Sequence, residues 1–376
     1  MKKIKLGVIY ALPEKYATSI RIKNLTKRLE NVEIIKIQPN DWPNNIPGKL
    51  QVLIKNCLKV LNPKFKPDVV YASAPLIASS IPAILAKKIK KIPLIIDWDD
   101  CFVDFSKYKP KPWNLCYWEY LAVKNADKVV VVSDKLKELA MFLGKKEEDI
   151  KYIPNGVDLE LFNPEKYKED RIKIRKRYKI KDDEIVVGFV GSINKLGNNN
   201  FVGKDIADCA VKLKKEGSLD KFKFLIVGFG SGLKLFKDYV EKKYIRDRFI
   251  FTGYVKHEDV PKYISTMDVA LVPFNEKTFS AYTRSSCKIK EFIAMNVIVI
   301  TVGVGENLKD LDYEKYGILI ESNEKICEGL FKYLEKYKKY NSTNSREHAK
   351  NYDFRRLSKK VNKLIFEEVS ENGKKI

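Results

Sequence analysis

A short run of hydroxyl and basic side chains in the second half of the chain has the composition of an anion-binding loop. The run is TRSSCK, residues 283–288, and an apolar helical pattern follows it. Backbone N–H groups at a helix N-terminus attract anions, and Arg284, Ser286 and Lys288 add hydrogen-bond donors. The run therefore predicts a site for a diphosphate, although a solvent-exposed basic loop has the same composition.

Three carboxylates follow a buried strand pattern in the first half, in the sequence Asp97-Trp-Asp-Asp. Carboxylates that are one residue apart are suited to hold a divalent cation. The same side chains are also common caps of helices. The spacing alone does not decide between a metal site and a structural role for Asp97, Asp99 and Asp100.

Two further segments have the composition of functional turns. Gly228, Gly230 and Gly232 form a G-x-G-x-G turn after an apolar run, which by itself is weak evidence for a dinucleotide site. The loop YALPEKYATSIR, residues 10–21, leads into a basic helical pattern, and Ser19 is suited to cap that helix.

The composition restricts the kind of protein that these segments belong to. The chain has 376 residues, 45% of them hydrophobic, and its 72 Lys and Arg against 49 Asp and Glu give a net charge of +23. This is a globular composition with enough length for two domains. The charge is compatible with anionic small molecules, anionic lipid or nucleic acid, and also with the Lys- and Glu-rich surface of heat-adapted proteins.

Several classes of site and partner are not expected. The sequence has neither Cys/His finger spacing nor an RNP-like aromatic run, so no specific nucleic-acid partner is predicted. Six scattered Cys and two His predict neither a zinc site nor a disulfide scaffold, and they suit a reducing cytosol. No stretch is long and apolar enough to span a bilayer, and the short apolar run at the N-terminus indicates a buried strand rather than a signal peptide.

Strand patterns alternate with helical patterns in both halves of the chain. This alternation predicts an α/β protein with two Rossmann-like parallel sheets. A charged helix and linker, residues 165–183, contains the predicted boundary, which gives domains at 1–168 and 169–350 and a C-terminal helical segment at 351–376. Ligands of open parallel sheets bind at the carboxyl ends of the strands, so we expect an anionic ligand between the two halves.

The segment from Asp127 to Pro164 carries the most specific pattern. It reads DKVVVVSDKLKELAMFLG and then IKYIPNGVDLELFNP, and it resembles the retaining glycosyltransferases of family 4, which have the GT-B fold. The second half extends the resemblance through the segments FVGS, FLIVGFGSG, FIFTGYVKHEDVPKYISTMDVALVPF and CKIKEFIAMNVIVIT. The resemblance covers nearly the whole chain and is weakest over residues 36–67.

The resemblance implies two domains that face each other across a cleft, with a C-terminal helix that returns toward the first domain. It also implies roles for individual residues, since a Glu at the position of Glu291 accepts hydrogen bonds from the donor ribose in this family. The implied nucleotide-sugar-binding residues are Glu291, Arg284, Ser286, Lys195, Gly191, Gly228, Gly253 and Tyr254. The implied catalytic residues are Asp99, Asp100 and Lys288, and the implied acceptor-binding residues are Thr18, Ser19, Arg21 and Asp97.

The sequence departs from the family pattern at several of these places. Thr283 stands where the family has the first Glu of its Glu-x7-Glu pair, and Ser192 stands where it has an Arg that Lys195 could replace. Asp99 occupies the place of a His or Arg. Residues 296–299, NVIV, lack the Gly and Pro of the family's G-x-P-V segment.

The predicted function is transfer of a sugar from a UDP- or GDP-linked donor to a hydroxyl of a glycan, lipid or lipid-linked saccharide, with retention of configuration. Basic groups are expected to stabilise the leaving diphosphate, so no metal is predicted. The competing hypothesis is a metal held by Asp97 and Asp99, as in the GT-A fold. Two further alternatives are a sugar-nucleotide epimerase, which needs acid/base groups such as His, and a non-catalytic binding subunit, which the variant Thr283 and Asp99 favour.

Location and membrane contact follow from the charge pattern. The expected location is the cytoplasm. Lys and Arg alternate with apolar residues in SIRIKNLTKRL, residues 19–29, and in LQVLIKNCLKVLNPKFK, residues 50–66. These two segments predict peripheral contact with an anionic membrane.

Overall fold

The computed structural model of the protein describes residues 3–73, 76–114, 116–336 and 344–372. The chain divides into two units. Unit 1 contains Met1–Gly156, Thr278–Ser285 and Phe354–Ile376, and unit 2 contains Val157–Lys277 and Ser286–Asp353. The predicted boundary therefore differs from the observed one, because residues 157–168 belong to unit 2 and residues 278–285 belong to unit 1.

Strands and helices alternate along the described residues, as the sequence predicts. The strands are β1 (Ile4–Ile9), β2 (Val32–Ile37), β3 (Val69–Ser73), β4 (Leu94–Trp98), β5 (Lys128–Val131), β6 (Ile150–Tyr152), β7 (Ile185–Val190), β8 (Phe222–Val227), β9 (Phe249–Gly253), β10 (Val269–Val272), β11 (Ile298–Val302) and β12 (Gly317–Ile320). The helices are α1 (Ala17–Thr26), α2 (Ile46–Leu61), α3 (Ile77–Lys90), α4 (Cys116–Asn125), α5 (Asp134–Phe142), α6 (Lys168–Arg177), α7 (Lys204–Lys215), α8 (Leu233–Lys242), α9 (Val260–Ile264), α10 (Ser280–Thr283), α11 (Cys287–Ala294), α12 (Asn307–Asp310), α13 (Ile326–Lys336), α14 (Ser345–Ala349) and α15 (Phe354–Glu371).

Unit 1 contains a parallel sheet of six strands in the order β2-β1-β3-β4-β5-β6. The strands β3 and β4 are buried along their whole length, because helices cover both faces of a parallel sheet. On one face, Leu6 and Val8 of β1 pack with Ile22 of α1 and with Leu357 and Leu364 of α15. The C-terminal helix α15 therefore completes the core of unit 1, as predicted.

Unit 2 contains a second parallel sheet of six strands in the order β12-β11-β10-β7-β8-β9. The first strand of this unit in the chain, β7, is fully buried and lies between β10 and β8. The order of the strands reverses between β7 and β10, and ligands of open sheets bind at the carboxyl ends of the strands beside such a point. The loops that follow β7 and β10 are therefore the expected place of a ligand in this unit.

Several features of the fold are absent from the sequence-based prediction or differ from it. The strand β12 and the helix α13 were not predicted. Cys209 of α7 and Cys327 of α13 form a disulfide, whereas the composition predicts reduced thiols. Pro75 and Leu115, which the sequence patterns assign to helices, lie outside the described residues. Within the described part of the chain, no helix is both long enough and apolar enough to cross a bilayer.

Candidate functional site

Three glycines of unit 2 lie where neighbouring strands end. The N–H of Gly191, after β7, donates to the carbonyl of Val227 at 3.0 Å, and the N–H of Gly228, after β8, donates to Gly253 at 3.1 Å. A Cβ on Gly228 would lie 1.9 Å from the carbonyl oxygen of Gly191. Glycine is therefore required at position 228, because the backbones of two loops approach closely there.

The predicted nucleotide-binding residues Lys195 and Tyr254 lie in this same group of loops. Lys195 is exposed, and its backbone N–H donates to the hydroxyl of Ser231 at 3.1 Å. Tyr254 follows Gly253 and is 76% exposed, and Phe229, between the first two glycines of the G-x-G-x-G turn, is 63% exposed. The loops at the carboxyl ends of β7, β8 and β9 thus present a cation and two aromatic rings to solvent.

The helix α11 begins with the residues that the sequence predicts for the diphosphate. Ser286 is its N-cap, and the Ser286 hydroxyl accepts the N–H of Ile289 at 3.4 Å. A buried lysine supports this end of the helix, since Lys290 donates to the carbonyl of Ser286 at 3.2 Å and to Asp310 at 2.5 Å. Lys290 and Asp310 are both almost fully buried, so this pair fixes the start of α11 and is not available to a ligand.

Glu291 lies on α11, and each of its two carboxylate oxygens has one hydrogen-bond partner. Lys288 Nζ is 2.9 Å from Oε2, and His257 Nε2 is 3.0 Å from Oε1. Burial alone would raise the pKa of Glu291, but Lys288 and His257 outweigh it and hold the pKa below its usual value. Burial lowers the pKa of Lys288, yet the charge of Glu291 raises it overall. The group is therefore ionised at neutral pH, with a negative carboxylate beside a positive ammonium.

His257 is a candidate functional residue that sequence reasoning missed. It lies after β9, and its side chain is 41% exposed while that of Glu291 is only 6% exposed. Its imidazole packs against the ring of Phe162, with 5.6 Å between ring centroids. The sequence offers one signal, which is that His257 is one of only two histidines in the chain.

Arg21 and Asp97 form a buried ion pair in unit 1. Arg21 Nε and Nη2 donate to the two oxygens of Asp97 at 2.9 and 3.2 Å, and Tyr71 donates its hydroxyl to the same carboxylate. The other N–H groups of Arg21 donate to the carbonyls of Ile153 and Pro154, both at 2.8 Å, and to the Asn155 side chain at 3.1 Å. The pair joins α1 to the ends of β4 and β6.

This geometry corrects two acceptor-binding predictions. Arg21 is 2% exposed and Asp97 is 1% exposed, and all five N–H groups of the guanidinium have partners. Direct contact of either residue with an acceptor is contradicted, because their hydrogen-bonding groups are buried and already paired. Ser19 is also fully buried and donates to the carbonyl of Leu12 at 2.7 Å. It lies inside α1, so it neither caps the helix nor faces an acceptor.

Thr18 differs from these three residues. It is partly exposed, and its hydroxyl oxygen is buried without a hydrogen-bond partner among the described residues. The acceptor role of Thr18 stays a prediction.

The family pattern Pro-Asn-Gly has a structural role in unit 1, since Asn155 donates its backbone N–H and its side-chain amide to Ser285 at 3.1 and 2.8 Å.

Arg284 and Thr283 lie with the carboxylates after β4, within unit 1. Arg284 Nε donates to Asp100 at 2.9 Å, and the hydroxyl of Thr283 donates to the carbonyl of Cys101 at 2.8 Å. Burial raises the pKa of Asp100, and Arg284 counteracts that rise. Arg284 was predicted to join Lys288 in a diphosphate site of the second domain, but in the structure its charge is paired with Asp100. The Asp100 carboxylate is therefore held by Arg284.

Asp99 is the member of this acidic group whose pKa lies near neutrality. Burial, with a contribution from the charge of Asp97, raises its pKa to about 7. Glu119 of α4, which was not predicted, accepts the indole N–H of Trp98 at 2.6 Å, and burial raises its pKa to about 8. A carboxyl whose pKa lies near neutrality is suited to exchange a proton with a hydroxyl, so Asp99 remains the candidate catalytic group of unit 1.

Two family models match this chain in succession. Residues 17–161 match the model described as glycosyltransferase family 4, and residues 184–336 match the model described as glycosyl transferases group 1. Together the two matches cover more than three quarters of the sequence. The chain therefore consists of a family 4 glycosyltransferase segment followed by a group 1 glycosyl transferase segment.

Curated relatives of this chain include an uncharacterised glycosyltransferase of Methanocaldococcus jannaschii, 25% identical over 54% of this chain and 49% of the relative. A putative teichuronic acid biosynthesis glycosyltransferase of Bacillus subtilis is 29% identical over 50% of this chain and 43% of the relative. The aligned parts thus span about half the length of these curated relatives.

Among solved structures, the Anabaena protein HepE in complex with UDP is similar over 97% of this chain and 100% of that chain, with a TM-score of 0.72 and 16% identity. HepE is also recorded in complex with UDP-glucose. At this identity the likeness concerns the fold, and it agrees with the GT-B fold that the sequence resemblance implies.

Proposed function

We propose that this protein transfers a sugar from a nucleotide sugar to a hydroxyl of a glycan, lipid or lipid-linked saccharide, with retention of the anomeric configuration. The observation that carries the proposal is the Glu291 group of α11, in the segment that matches the group 1 glycosyl transferases. An ionised carboxylate with remaining lone pairs suits the hydroxyls of a ribose. It lies one turn from a helix N-terminus, which is suited to a diphosphate.

The donor class that the structure favours is a UDP-linked sugar, with a GDP-linked sugar as the alternative. HepE, with the same fold, is recorded with UDP and with UDP-glucose. The exposed rings of Phe229 and Tyr254 are available to pack against a base. The acceptor is assigned only by chemical class, as a hydroxyl that approaches the partly exposed Asp99.

Departure of the diphosphate requires positive charge, and Lys288 and Lys195 are the candidate sources in unit 2. We therefore propose that transfer needs no divalent metal. The competing hypothesis, a cation held by Asp97 and Asp99, has little support, because the Asp97 carboxylate is buried and engaged by Arg21 and Tyr71.

A transfer assay with a panel of UDP- and GDP-sugars, with and without EDTA, tests this proposal. We expect transfer to persist in EDTA and Lys288→Ala to lower turnover about tenfold or more, the effect of losing one preorganised charge contact. Loss of transfer in EDTA and its recovery with Mn²⁺ would overturn the metal-free mechanism. Release of a free epimerised nucleotide sugar without acceptor would instead favour the epimerase.

We further propose that unit 1 contacts an anionic membrane through α2, consistent with a lipid-linked acceptor. Five large aliphatic side chains of this helix are 40–81% exposed, and four of them follow one another at four-residue spacing. They are Ile46, Leu50, Ile54, Leu58 and Leu61. Residues 42–67 contain five Lys and no Asp or Glu, and apolar side chains flanked by cations are suited to the surface of an anionic bilayer.

The other segment that was predicted to contact a membrane, residues 19–29, differs from α2. Ile22 and Leu25 of α1 are buried in the core of unit 1, and Lys23 is paired with Glu14. The membrane proposal is therefore restricted to α2.

Co-sedimentation with anionic and with zwitterionic vesicles at low salt tests the role of α2. We expect binding only to anionic vesicles, and we expect Leu58→Glu to abolish it. Ile172→Glu is the matched control, because Ile172 is a 68% exposed aliphatic residue on α6 of unit 2. Equal binding to both kinds of vesicle, or equal loss with both variants, would contradict the proposal.

A further inference from the structure

We propose that His257 is a positioning residue for the donor: its Nε2–H group fixes the carboxylate of Glu291 so that both oxygens are presented to the vicinal hydroxyls of the ribose. This inference rests on the proposed function, because it assumes that Glu291 contacts the ribose. His257 lies outside the segment CKIKEFIAMNVIVIT, from which the role of Glu291 was inferred.

The number of acceptor positions on the carboxylate supports a diol as the ligand. An ionised carboxylate offers about four lone-pair sites, two on each oxygen. Lys288 occupies one site on Oε2, and His257 occupies one site on Oε1. One site therefore remains on each oxygen, which matches two hydroxyl groups on neighbouring carbons. Partners on both oxygens also prevent the carboxylate from rotating about its terminal torsion, which is otherwise broad.

The direction of the hydrogen bond follows from the charge of Glu291. An ionised carboxylate accepts hydrogen bonds and donates none. The Nε2 atom of His257 must therefore carry a hydrogen, both in the neutral imidazole and in the imidazolium. His257 can therefore hold Glu291 in either form of the imidazole.

The imidazole is itself held in place from a different part of unit 2. Its ring packs against Phe162 at 5.6 Å with an interplanar angle of 59°, and Phe162 is 1% exposed. Arg346 fixes the backbone beneath that ring, since it donates to the carbonyl of Phe162 and, at 2.8 Å, to that of Leu159. The chain Arg346–Phe162–His257–Glu291 therefore connects the segment before α6 to the ribose-facing carboxylate.

Two substitutions separate the donor function of His257 from its packing. His257→Phe keeps an aromatic ring against Phe162 and removes the N–H group. His257→Gln removes the ring and keeps an N–H donor with a similar reach. A residue that only packs should tolerate Phe better than Gln, whereas a residue that positions Glu291 should tolerate Gln better than Phe.

The experiment is isothermal titration of the full chain with UDP and with 2′,3′-dideoxy-UDP, which lacks both ribose hydroxyls. We expect His257→Phe to weaken UDP binding about fivefold to tenfold, the upper part of the range for one net hydrogen bond. We expect His257→Gln to stay within about twofold of the unsubstituted protein on the same scale. Both variants should bind the dideoxy nucleotide as the unsubstituted protein does, and His257→Phe should have no further effect in a Glu291→Gln background.

The outcomes separate this inference from the proposed function. If Glu291→Gln weakens UDP binding but His257→Phe does not, the positioning role is wrong and the ribose site stands. Equal losses for UDP and dideoxy-UDP would also overturn it, because a general structural effect does not depend on the ribose hydroxyls. If the unsubstituted protein binds both nucleotides equally, and GDP and dideoxy-GDP equally, the proposed donor site fails and this inference fails with it.

Discussion

Each unit places a carboxylate near the carboxyl edge of its sheet, and the two carboxylates have opposite surroundings. Asp97 of unit 1 is 1% exposed and receives hydrogen bonds from Arg21 and Tyr71, which are also buried. Glu291 of unit 2 is nearly as buried, but its partners Lys288 and His257 have side chains that are 33% and 41% exposed.

This difference separates a structural carboxylate from one that is available to a ligand. All hydrogen-bond donors of Arg21 are used within unit 1, so the Asp97 pair joins helices and strands and leaves no group for a substrate. The partners of Glu291 reach solvent, and each occupies one oxygen only. Burial alone therefore does not distinguish the candidate ligand-binding carboxylate from the structural one, whereas the exposure of its partners does.

The largest expected effect is on the stability of unit 1. Asp97→Ala leaves the guanidinium of Arg21 buried without its counter-charge, so we expect the free energy of unfolding to fall by about 3–5 kcal/mol. Urea unfolding followed by fluorescence measures this. Glu291→Gln is the control, and we expect it to change stability by less than about 1 kcal/mol because Lys288 can reach solvent. Similar losses in both variants would remove the distinction between the two sites.

The next effect is on nucleotide binding. Glu291→Ala removes the acceptor for the ribose hydroxyls, so we expect nucleotide affinity to weaken by about 1.5–3 kcal/mol with the fold retained. Isothermal titration with UDP measures the loss, and circular dichroism checks the fold. The control is Lys151→Ala on β6 of unit 1, a substitution that we expect to leave affinity unchanged. An unaltered affinity in folded Glu291→Ala would disprove the ribose role.

The smallest expected effect is on the pH dependence of stability. The pKa of Asp99 is raised to about 7, so the folded protein binds more protons than the unfolded chain between the unfolded value, 3.8, and 7. The Asp99 contribution to stability is therefore present at low pH and is lost as the pH rises through this range. We expect Asp99→Asn to reduce this loss by about 1 kcal/mol, since a partly exposed group is screened by solvent.

Unfolding in urea at pH 5 and at pH 8 measures the difference between the variant and the unsubstituted protein. Asp104→Asn is a control on the same loop, because the pKa of Asp104 is lowered by its bonds to Ser106 in spite of some desolvation. A steeper loss of stability in Asp99→Asn than in the unsubstituted protein would contradict the raised pKa. It would also weaken the case for Asp99 as the perturbed acid of unit 1.

The arrangement of strands and helices could be predicted because it depends on local patterns. Runs such as IVVGFV in β7 and LIIDW in β4 are apolar over the length of a strand, and parallel sheets bury both faces of such strands. The strand β12 escaped prediction because its four residues, GILI, follow a turn-rich segment and give little periodicity. The family could be recognised because its motif residues keep a fixed register along the chain.

The placement of individual side chains depended on contacts between distant parts of the sequence. Asp97 and Arg21 are 76 residues apart, and His257 and Glu291 are 34 residues apart. The sequence supplied the types of these residues and the helices and strands that carry them. Only tertiary packing decided that Arg21 is buried against Asp97, that Arg284 pairs with Asp100, and that His257 reaches Glu291. The physical reason is that burial, pKa and hydrogen bonding depend on what surrounds a side chain in space, and local sequence patterns do not specify those surroundings.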